Sequence, residues 1–269
     1  MSKVVFITGG SSGIGKAIGI QLTNRGYVVY GTSRNPDAAA KEHPFPLVTM
    51  TVNDAQSVQQ AIQNVYDKEG RIDILINNAG VGITGAVEET PDEEIQQAFD
   101  TNLYGPIRAM KAVMPIMRSQ QQGLIINVTS IAGFMGLPYR TIYSATKSAL
   151  AIITEGMRME AKQFGIQITN VAPGDFATNI ASGRYHAPLL DDSPYKKDYQ
   201  NTLEMMNGHV DSGGDPMEVA KLVVRIVEKR HPKVHYKVGA FLQKFSVVLK
   251  NILPSKVYER MLMNHYKLK

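Results

Sequence analysis

Runs of apolar, β-branched residues alternate with amphipathic stretches along most of the chain. Such runs are typical of strands buried on both faces of a parallel sheet. We therefore predict strands at 3–8, 27–32, 46–51, 72–76, 124–129 and 166–172, with a further candidate at 234–238. Helical periodicity lies between them, near 13–25, 55–69, 91–118 and 142–164. This alternation predicts an α/β fold with a doubly wound parallel sheet, helices on both faces and ligands at the carboxyl ends of the strands.

Two segments depart from this alternation. The polar stretch 176–214 has no clear period and is typical of an irregular segment that covers a substrate. After a helix that we predict from Pro216 to about residue 230, residues 240–269 predict two short amphipathic helices. Their apolar positions recur at three and four: Phe241, Leu242, Phe245, Val248, Leu249, Ile252, Leu253, Val257, Tyr258, Met261 and Leu262. We expect these helices to pack on the domain or across an oligomer interface; the alternative is a membrane surface or a greasy substrate.

The bulk numbers restrict the class of protein. A chain of 269 residues is long for an average domain but ordinary for one α/β unit, so we predict a single domain over 1–269. The chain has no cysteine, which excludes disulfides, thiolate nucleophiles and Cys-ligated metals, and we predict no metal site. Strand-like sequence starts at Lys3 and no apolar run is long enough for a bilayer, so we expect a soluble, cytoplasmic protein.

Positive charge is concentrated at the end of the chain. The net charge is +5, and residues 221–269 carry twelve lysines and arginines against only Glu228 and Glu259. A basic end can attract an anionic membrane, an acidic substrate or a partner protein, but a solvated surface is the favoured interpretation. We predict no nucleic-acid partner.

The segment TGGSSGIGKA, residues 8–17, fits parts of three phosphate-binding patterns. Ala17 stands where a P-loop needs Ser or Thr, and Ile18 stands where G-x-G-x-x-G needs its third glycine. What remains is T-G-x-x-x-G-x-G, a turn that presents backbone N–H groups and a helix N-terminus to a diphosphate. The predicted contacts are Gly9, Ser11, Ser12, Gly13, Ile14 and Gly15.

The end of the second predicted strand indicates which dinucleotide binds there. An acidic residue at this place would hold the ribose 2′-hydroxyl of NAD. The chain has Ser33, Arg34 and Asn35 instead, and a guanidinium can pair with a 2′-phosphate. We therefore predict NADP(H) as the preferred cofactor, with NAD(H) as the alternative.

Four residues suggest proton chemistry. Tyr143 and Lys147 lie four apart and share a helix face, and lowering the phenol pKa by about 3 would take about 4 kcal/mol of preferential interaction. Ser130 follows a predicted strand and can donate to a carbonyl oxygen. Asn102 precedes a Gly-Pro pair, which predicts a kink in the helix over 91–118. A kink leaves a backbone carbonyl without its helical hydrogen bond, and that carbonyl can hold a water leading to Lys147. Taken singly, each of these residues also fits an ordinary helix or turn.

Two further turns end predicted strands. Asn77, Asn78, Ala79 and Gly80 follow the strand at 72–76, where small residues admit a ligand and the amides can brace neighbouring strands. The strand at 166–172 ends in Pro173-Gly174 and is followed by Phe176 and Thr178, a turn that can cover a nicotinamide ring.

Together these motifs resemble the classical short-chain dehydrogenases/reductases over about residues 3–180. The resemblance implies a Rossmann-type fold, NAD(P)(H) as co-substrate, Tyr143 as general acid/base and Ser130 on the substrate oxygen. It also implies that Lys147 holds the nicotinamide ribose and lowers the tyrosine pKa, and that Asn102 belongs to a proton relay. The cofactor contacts that it implies beyond the glycine turn are Ser33, Arg34, Asn35, Val52, Asn78, Ala79, Gly80, Tyr143, Lys147, Pro173, Gly174, Phe176 and Thr178.

One feature departs from the family pattern, and another extends the resemblance to the C-terminus. The third strand of the family commonly ends in Asp-Val, whereas this chain has Thr51-Val52, so the adenine contact differs. The C-terminal helices are similar to those of steroid- and retinoid-active members, which implies a lipophilic or bulky substrate.

The sequence thus predicts an NADP(H)-dependent oxidoreductase that interconverts a carbonyl and an alcohol and forms a homo-oligomer, a dimer or a tetramer. The alternative is a non-catalytic NADP(H)-sensing or scaffold protein on the same fold.

Overall fold

A parallel sheet of seven strands forms the centre of the computed structural model, which describes residues 2–37, 43–176, 183–211 and 213–268. The strand order is β3-β2-β1-β4-β6-β7-β9, and a separate pair is formed by β5 and β8. The strands are β1 Val4–Thr8, β2 Val28–Ser33, β3 Leu47–Thr49, β4 Ile74–Asn77, β5 Ile83–Thr84, β6 Gly123–Val128, β7 Ile166–Pro173, β8 Tyr185–His186 and β9 His235–Val238. The predicted doubly wound α/β fold is confirmed, including the candidate strand near 234–238.

Helices cover both faces of this sheet. They are α1 Gly13–Thr23, α2 Ala55–Glu69, α3 Asp92–Phe99, α4 Gly105–Ser119, α5 Thr141–Glu160, α6 Lys196–Asp211, α7 Pro216–Val227, α8 Phe241–Ile252 and α9 Ser255–His265. Helices α2, α4 and α5 pack on one face, and α1 and α7 pack on the other. Within β1, Val4 and Phe6 enter the first core while Val5 and Ile7 enter the second, so the first four residues of the strand are all apolar.

The long helix predicted over 91–118 is interrupted where Asn102 predicted a kink. Helix α3 ends at Phe99, a π-helical turn follows over Asp100–Tyr104, and α4 begins at Gly105. The helix is therefore irregular at the predicted place, and π turns of this kind are frequent at functional sites.

The prediction of an irregular segment over 176–214 is wrong for much of its length. It contains β8, which pairs with β5, and the four-turn helix α6. Helix α6 is polar overall but buries Tyr199, Thr202 and Met206, spaced three and four residues apart. A buried stripe this narrow in a polar sequence does not produce a clear helical pattern.

The C-terminal helices pack on the domain, as the favoured interpretation predicted. Side chains from α8 and α9 join a third apolar cluster with the residues around Tyr143. The predicted apolar face of α8 is wrong in part, since Val247 is 1% exposed whereas Phe241, Leu242 and Ile252 are 73%, 76% and 70% exposed. Apolar residues surround α8 on several sides, so periodicity alone does not identify the buried side.

Within the described ranges, no helix combines the length and hydropathy needed to cross a bilayer. The exposed apolar residues of α8 could contact a second copy of the chain or a membrane surface. Both the homo-oligomer and the membrane contact stay predictions.

Candidate active site

A cleft of about 710 Å³ runs along the carboxyl edge of the sheet. The chain leaves β1 toward β2 and β3 and then returns to place β4 on the other side of β1, which opens a crevice between them. Most of the residues predicted as site residues line this cleft: Gly9, Ser11, Ser12, Gly13, Ile14, Ser33, Arg34, Asn35, Val52, Asn78, Ala79, Gly80, Ser130, Tyr143, Lys147, Pro173, Gly174 and Phe176. Gly15 and Asn102 lie behind this lining, and Thr178 lies outside the described residues.

The glycine turn after β1 brings backbone close to the cleft. Gly9 has a φ of 65°, in the left-handed region that glycine adopts without strain. A Cβ on Gly15 would lie 2.2 Å from the carbonyl oxygen of Gly9 and 2.5 Å from Nδ2 of Asn78, so only glycine fits there. Helix α1 begins at Gly13, and its free N–H groups and dipole can therefore act on an anion in the cleft.

Hydrogen bonds from the neighbouring strand hold this turn in place. The Nδ2 of Asn78 donates to the carbonyl oxygens of Thr8 and Gly9, both at 3.0 Å. The hydroxyl of Thr8 accepts from the backbone N–H groups of Asn78 and Ala79, also at 3.0 Å. This geometry confirms that the amides after β4 brace the adjacent strand.

The end of β2 forms the outer rim of the cleft. Arg34 and Asn35 are exposed and Ser33 is half-buried, and the backbone N–H of Asn35 donates to the Ser33 hydroxyl at 3.2 Å. Thr51 and Val52, where the sequence departs from the family pattern, line the same region. An exposed guanidinium at this rim is free to meet a phosphate that enters from solvent.

Tyr143, Lys147 and Ser130 meet at the opposite end of the cleft. Tyr143 and Lys147 lie one turn apart in α5, both buried, with the Lys147 Nζ 5.9 Å from the phenol ring centroid. The Lys147 ammonium donates to the Val128 carbonyl oxygen at 3.2 Å. The Ser130 hydroxyl accepts from the backbone N–H of Ala132 at 3.2 Å and so caps the short 3-10 turn after β6.

Burial dominates the electrostatics of these groups. It raises the pKa of Tyr143, against smaller lowering effects from Arg140, the Ser130 hydroxyl and Arg184. The prediction of a lowered phenol pKa is therefore wrong for the protein's own contacts, because desolvation of the phenolate exceeds its stabilisation by nearby cations. Burial also lowers the pKa of Lys147 to about 8.

Asn102 fastens the chain beside Lys147. Its Nδ2 donates to the Val81 carbonyl oxygen at 2.9 Å and to the Thr146 hydroxyl at 3.2 Å, and its Oδ1 accepts from the Val81 backbone N–H at 2.8 Å. A Cβ on Gly80 would lie 3.0 Å from the Asn102 Oδ1 and 3.2 Å from the Lys147 Nζ. Asn102 and Lys147 thus meet at the backbone of Gly80, while a part for Asn102 in a proton relay stays a prediction.

Three charged residues at the end of the cleft beside Tyr143 were not predicted from the sequence. The Arg140 guanidinium lies 5.5 Å from the Tyr143 ring centroid and 3.8 Å from Asp175, and Arg184 completes the group. Arg140 precedes Tyr143 by one helical turn and Asp175 follows the Pro173-Gly174 turn. Their places next to predicted site residues could therefore have identified both. Arg184 had none, because it lies in a segment without a recognisable pattern.

Gln243 of α8 links the C-terminal region to Asp175, which lines the cleft. The Gln243 Nε2 donates to Oδ2 of Asp175 at 2.7 Å, and its Oε1 accepts from the Asp175 backbone N–H at 3.3 Å. A Cβ on Gly174 would lie 1.9 Å from that Oε1, so the contact requires glycine. Helix α8 thereby fixes the turn that follows β7.

Comparisons with known proteins agree with this geometry. The family model described as short chain dehydrogenase matches residues 3–188. A 3-ketodihydrosphingosine reductase of Bacteroides thetaiotaomicron is 34% identical over 268 residues, 99% of this chain and 99% of that protein. A solved short-chain dehydrogenase of Streptomyces avermitilis is 27% identical with a TM-score of 0.82, covering 99% of this chain and 96% of that one. The structure of ElxO with NADP bound is 26% identical with a TM-score of 0.72, covering 88% and 97%.

Proposed function

Because the chain belongs to the short-chain dehydrogenase/reductase family of oxidoreductases, we propose that it interconverts a carbonyl and an alcohol with NADP(H) as the hydride partner. One observation carries the proposal: Tyr143, Ser130 and Lys147, which come from two elements, line one cleft together with the glycine turn. A proton donor and a hydroxyl donor beside a dinucleotide-sized cradle suit reduction of a carbonyl group.

The glycine turn fits a dinucleotide diphosphate. Backbone occupies the space that a side chain at Gly15 would need, and the N-terminus of α1 supplies N–H groups and a positive dipole end. The residues that would hold the cofactor are the predicted contacts that line the cleft, from Gly9 at the turn to Lys147 near the nicotinamide ribose. When bound, the nicotinamide supplies the hydride in reduction and accepts it in oxidation.

Ser130 and Tyr143 act on the substrate oxygen in this proposal. The Ser130 hydroxyl donates a hydrogen bond to the carbonyl oxygen and orients it. The Tyr143 hydroxyl gives its proton to that oxygen as the alcohol forms and takes it back in oxidation. Since burial holds the phenol pKa above its ordinary value, Tyr143 carries its proton at neutral pH and can donate it to the substrate oxygen when a carbonyl is reduced.

Lys147 and Asn102 serve the proton path. With a pKa of about 8, the Lys147 ammonium can lose and regain a proton near neutral pH, which suits a group that reprotonates the tyrosine. Asn102 holds the backbone at Val81 through two hydrogen bonds and so keeps the chain beside Lys147 in place. The same ammonium is suited to bind the ribose hydroxyls.

Arg34 supports NADP(H) rather than NAD(H). It is exposed at the rim, one residue after the end of β2, where the dinucleotide ribose is expected in this fold. A guanidinium pairs well with a 2′-phosphate and has no such partner in NAD. ElxO, a solved relative with NADP bound, is consistent with this preference.

A lipophilic or bulky substrate is the class that we infer for this site. An apolar cluster packs around Tyr143 and includes Ile131, Met135, Val247 and Tyr258, from the turn after β6 and from α8 and α9. The B. thetaiotaomicron relative is named a 3-ketodihydrosphingosine reductase, which supports a ketone attached to a long apolar chain.

The test is NADPH oxidation across steroid, retinoid, acyl and sugar carbonyls with wild type and Tyr143→Phe. We expect turnover of at least one class and a fall in kcat of about 10³-fold in the variant, with NADPH affinity unchanged. Tyr66→Phe, which alters a half-buried tyrosine of α2 remote from the cleft, is the matched control. Tight NADPH binding without turnover of any carbonyl, and no effect of Tyr143→Phe, would instead favour the sensor or scaffold.

A further inference from the structure

Arg184 is a buried cation whose hydrogen bonds are incomplete. The residue is 9% exposed, and its Nη1 is buried without a hydrogen-bond partner in the part of the chain that the structure describes. Buried charges are normally paired, because an unpaired one loses its hydration without compensation. An unpaired buried cation in a ligand cleft indicates that the bound ligand itself supplies the missing hydrogen-bond acceptor.

The small two-stranded sheet places this guanidinium at the catalytic end. The backbone N–H of Tyr185 donates to the Gly82 carbonyl oxygen at 3.0 Å, next to the pairing of β5 with β8. A Cβ on Gly82 would lie 2.9 Å from the Arg184 Cγ, so the absence of a side chain there makes room for the arginine. Arg184 lines the same cleft as Tyr143, and the two are close enough to influence each other's titration.

The carboxylate in this region is already engaged. Asp175 accepts a hydrogen bond from Gln243 at 2.7 Å and faces Arg140 at 3.8 Å. It attracts Arg184 electrostatically, but the described residues include no ion pair of Arg184 with a carboxylate. Among the residues that the structure describes, the charged side chains lining the cleft are four cations and one carboxylate: Arg34, Arg140, Lys147, Arg184 and Asp175. The catalytic end therefore keeps an excess of positive charge.

We propose that Arg184 binds an anionic group of the carbonyl substrate, a carboxylate or a phosphate, while Ser130 and Tyr143 hold the carbonyl oxygen. This inference rests on the proposed function and narrows its substrate class to ketones or aldehydes that carry an anion. A guanidinium is suited to the task because its planar N–H groups match both oxygens of such a group.

The first experiment compares matched neutral and anionic substrates. Methyl-ketone carboxylates of increasing chain length are assayed beside their methyl esters, and a ketone phosphate monoester beside its dimethyl ester. We expect kcat/KM of wild type to favour the best anion over its neutral ester by about 30-fold, the size of a charge-assisted hydrogen-bonded pair. The carboxylate and phosphate arms distinguish the two sources of negative charge.

Variants of Arg184 test whether this residue binds the anionic group. Arg184→Met is expected to lower kcat/KM for the anion by about 30-fold, mainly through KM, and to leave the esters within about threefold. Arg184→Lys is expected to restore part of the loss. Arg230→Met, which removes an exposed arginine just after α7, is the matched control. Equal activity on anion and ester in wild type, or an equal loss on both in Arg184→Met, would overturn the proposal.

A binding measurement separates this proposal from the proposed function. Calorimetry with the hydroxy-carboxylate products, in the presence of NADP⁺, is expected to show binding to wild type and about 30-fold weaker binding to Arg184→Met. If no carbonyl is turned over, the proposed function fails, while this measurement still tests Arg184. If Arg184→Met weakens NADPH itself and leaves the carboxylates unaffected, the arginine serves the cofactor and the proposal is wrong.

Discussion

The two ends of the cleft hold a ligand by different means. At the end formed by β1, β2 and β4, a glycine turn braced by Thr8 and Asn78 presents backbone N–H groups and a helix N-terminus. At the end formed by α5, β6, β7 and β8, buried charged side chains line the wall, with Lys147 and Arg184 both largely withdrawn from water. A backbone cradle needs no desolvated charge, whereas every buried cation at the catalytic end carries a desolvation cost.

This difference separates binding from specificity. The cradle depends on a few small residues at fixed spacing, so it tolerates almost no change in shape. The catalytic end depends on charges brought together from distant segments, so its preference can change through single side chains while the fold is retained. The predictions below test the two ends separately.

The largest expected effect comes from blocking the cradle with Gly15→Ala. Its Cβ would lie 2.2 Å from the Gly9 carbonyl oxygen, so the turn must move away from the geometry that binds a diphosphate. We expect NADPH affinity to fall about 100-fold, about 2.7 kcal/mol, as measured by calorimetry.

Gly156→Ala is the matched control for this substitution. A Cβ at Gly156, inside α5, meets nothing within 4 Å, so the same chemical change adds helix propensity without a clash. NADPH affinity should stay unchanged in the control. An unchanged affinity in Gly15→Ala, with a folded protein by circular dichroism, would show that the cradle does not rely on backbone contact.

The second prediction concerns the desolvation cost of the buried Lys147 ammonium, which makes the stability of the protein depend on pH. The pKa of Lys147 in the folded protein is about 8, below the ordinary 10.5, so between these values the unfolded chain binds more protons. Stability must then rise with pH across this window. Relative to Lys147→Met, wild type without cofactor should gain about 2.5 kcal/mol of unfolding free energy between about pH 7 and about pH 10.

Denaturant unfolding of both proteins at the two pH values measures this gain. Titrations of groups remote from Lys147 cancel in the difference between wild type and Lys147→Met. If the difference in unfolding free energy between the two proteins does not vary with pH, Lys147 keeps an ordinary pKa in the folded protein. The catalytic end would then carry no desolvation cost at Lys147, as the cradle carries none.

The smallest effect concerns Arg34, a cation that lines the cradle end. Its removal in Arg34→Ala should weaken NADPH about 10-fold, about 1.4 kcal/mol, because the exposed pair with the 2′-phosphate is partly screened by solvent. NADH affinity should not change. Arg230→Ala, which removes an exposed cation elsewhere, should leave both affinities unaltered, and an unchanged NADPH to NADH ratio in Arg34→Ala would exclude Arg34 from cofactor choice.

Local pattern was sufficient for most of the fold. Helix α2 was predicted at its observed bounds of Ala55–Glu69, since Asp54 caps its start and Gly70 ends it in the left-handed region. Helix α6 and strand β8 were not predicted. Their burial arises from contacts such as Tyr199 with Thr84, 115 residues away in the chain, and these leave only a weak local signature.

The sequence by itself determined the parallel sheet and the glycine turn, because apolar periodicity and small-residue spacing are local properties of the chain. Ser130, Tyr143 and Lys147 were predicted from the joint order of the motifs and the family that they resemble, and their roles stay predictions. Only the tertiary structure decided how charge is distributed around them. It brought Arg140, Asp175 and Arg184 to Tyr143, fastened Asp175 to Gln243 of α8, and raised the phenol pKa by burial. Desolvation and long-range pairing depend on which segments pack together, and this packing is not encoded in the spacing of any single motif.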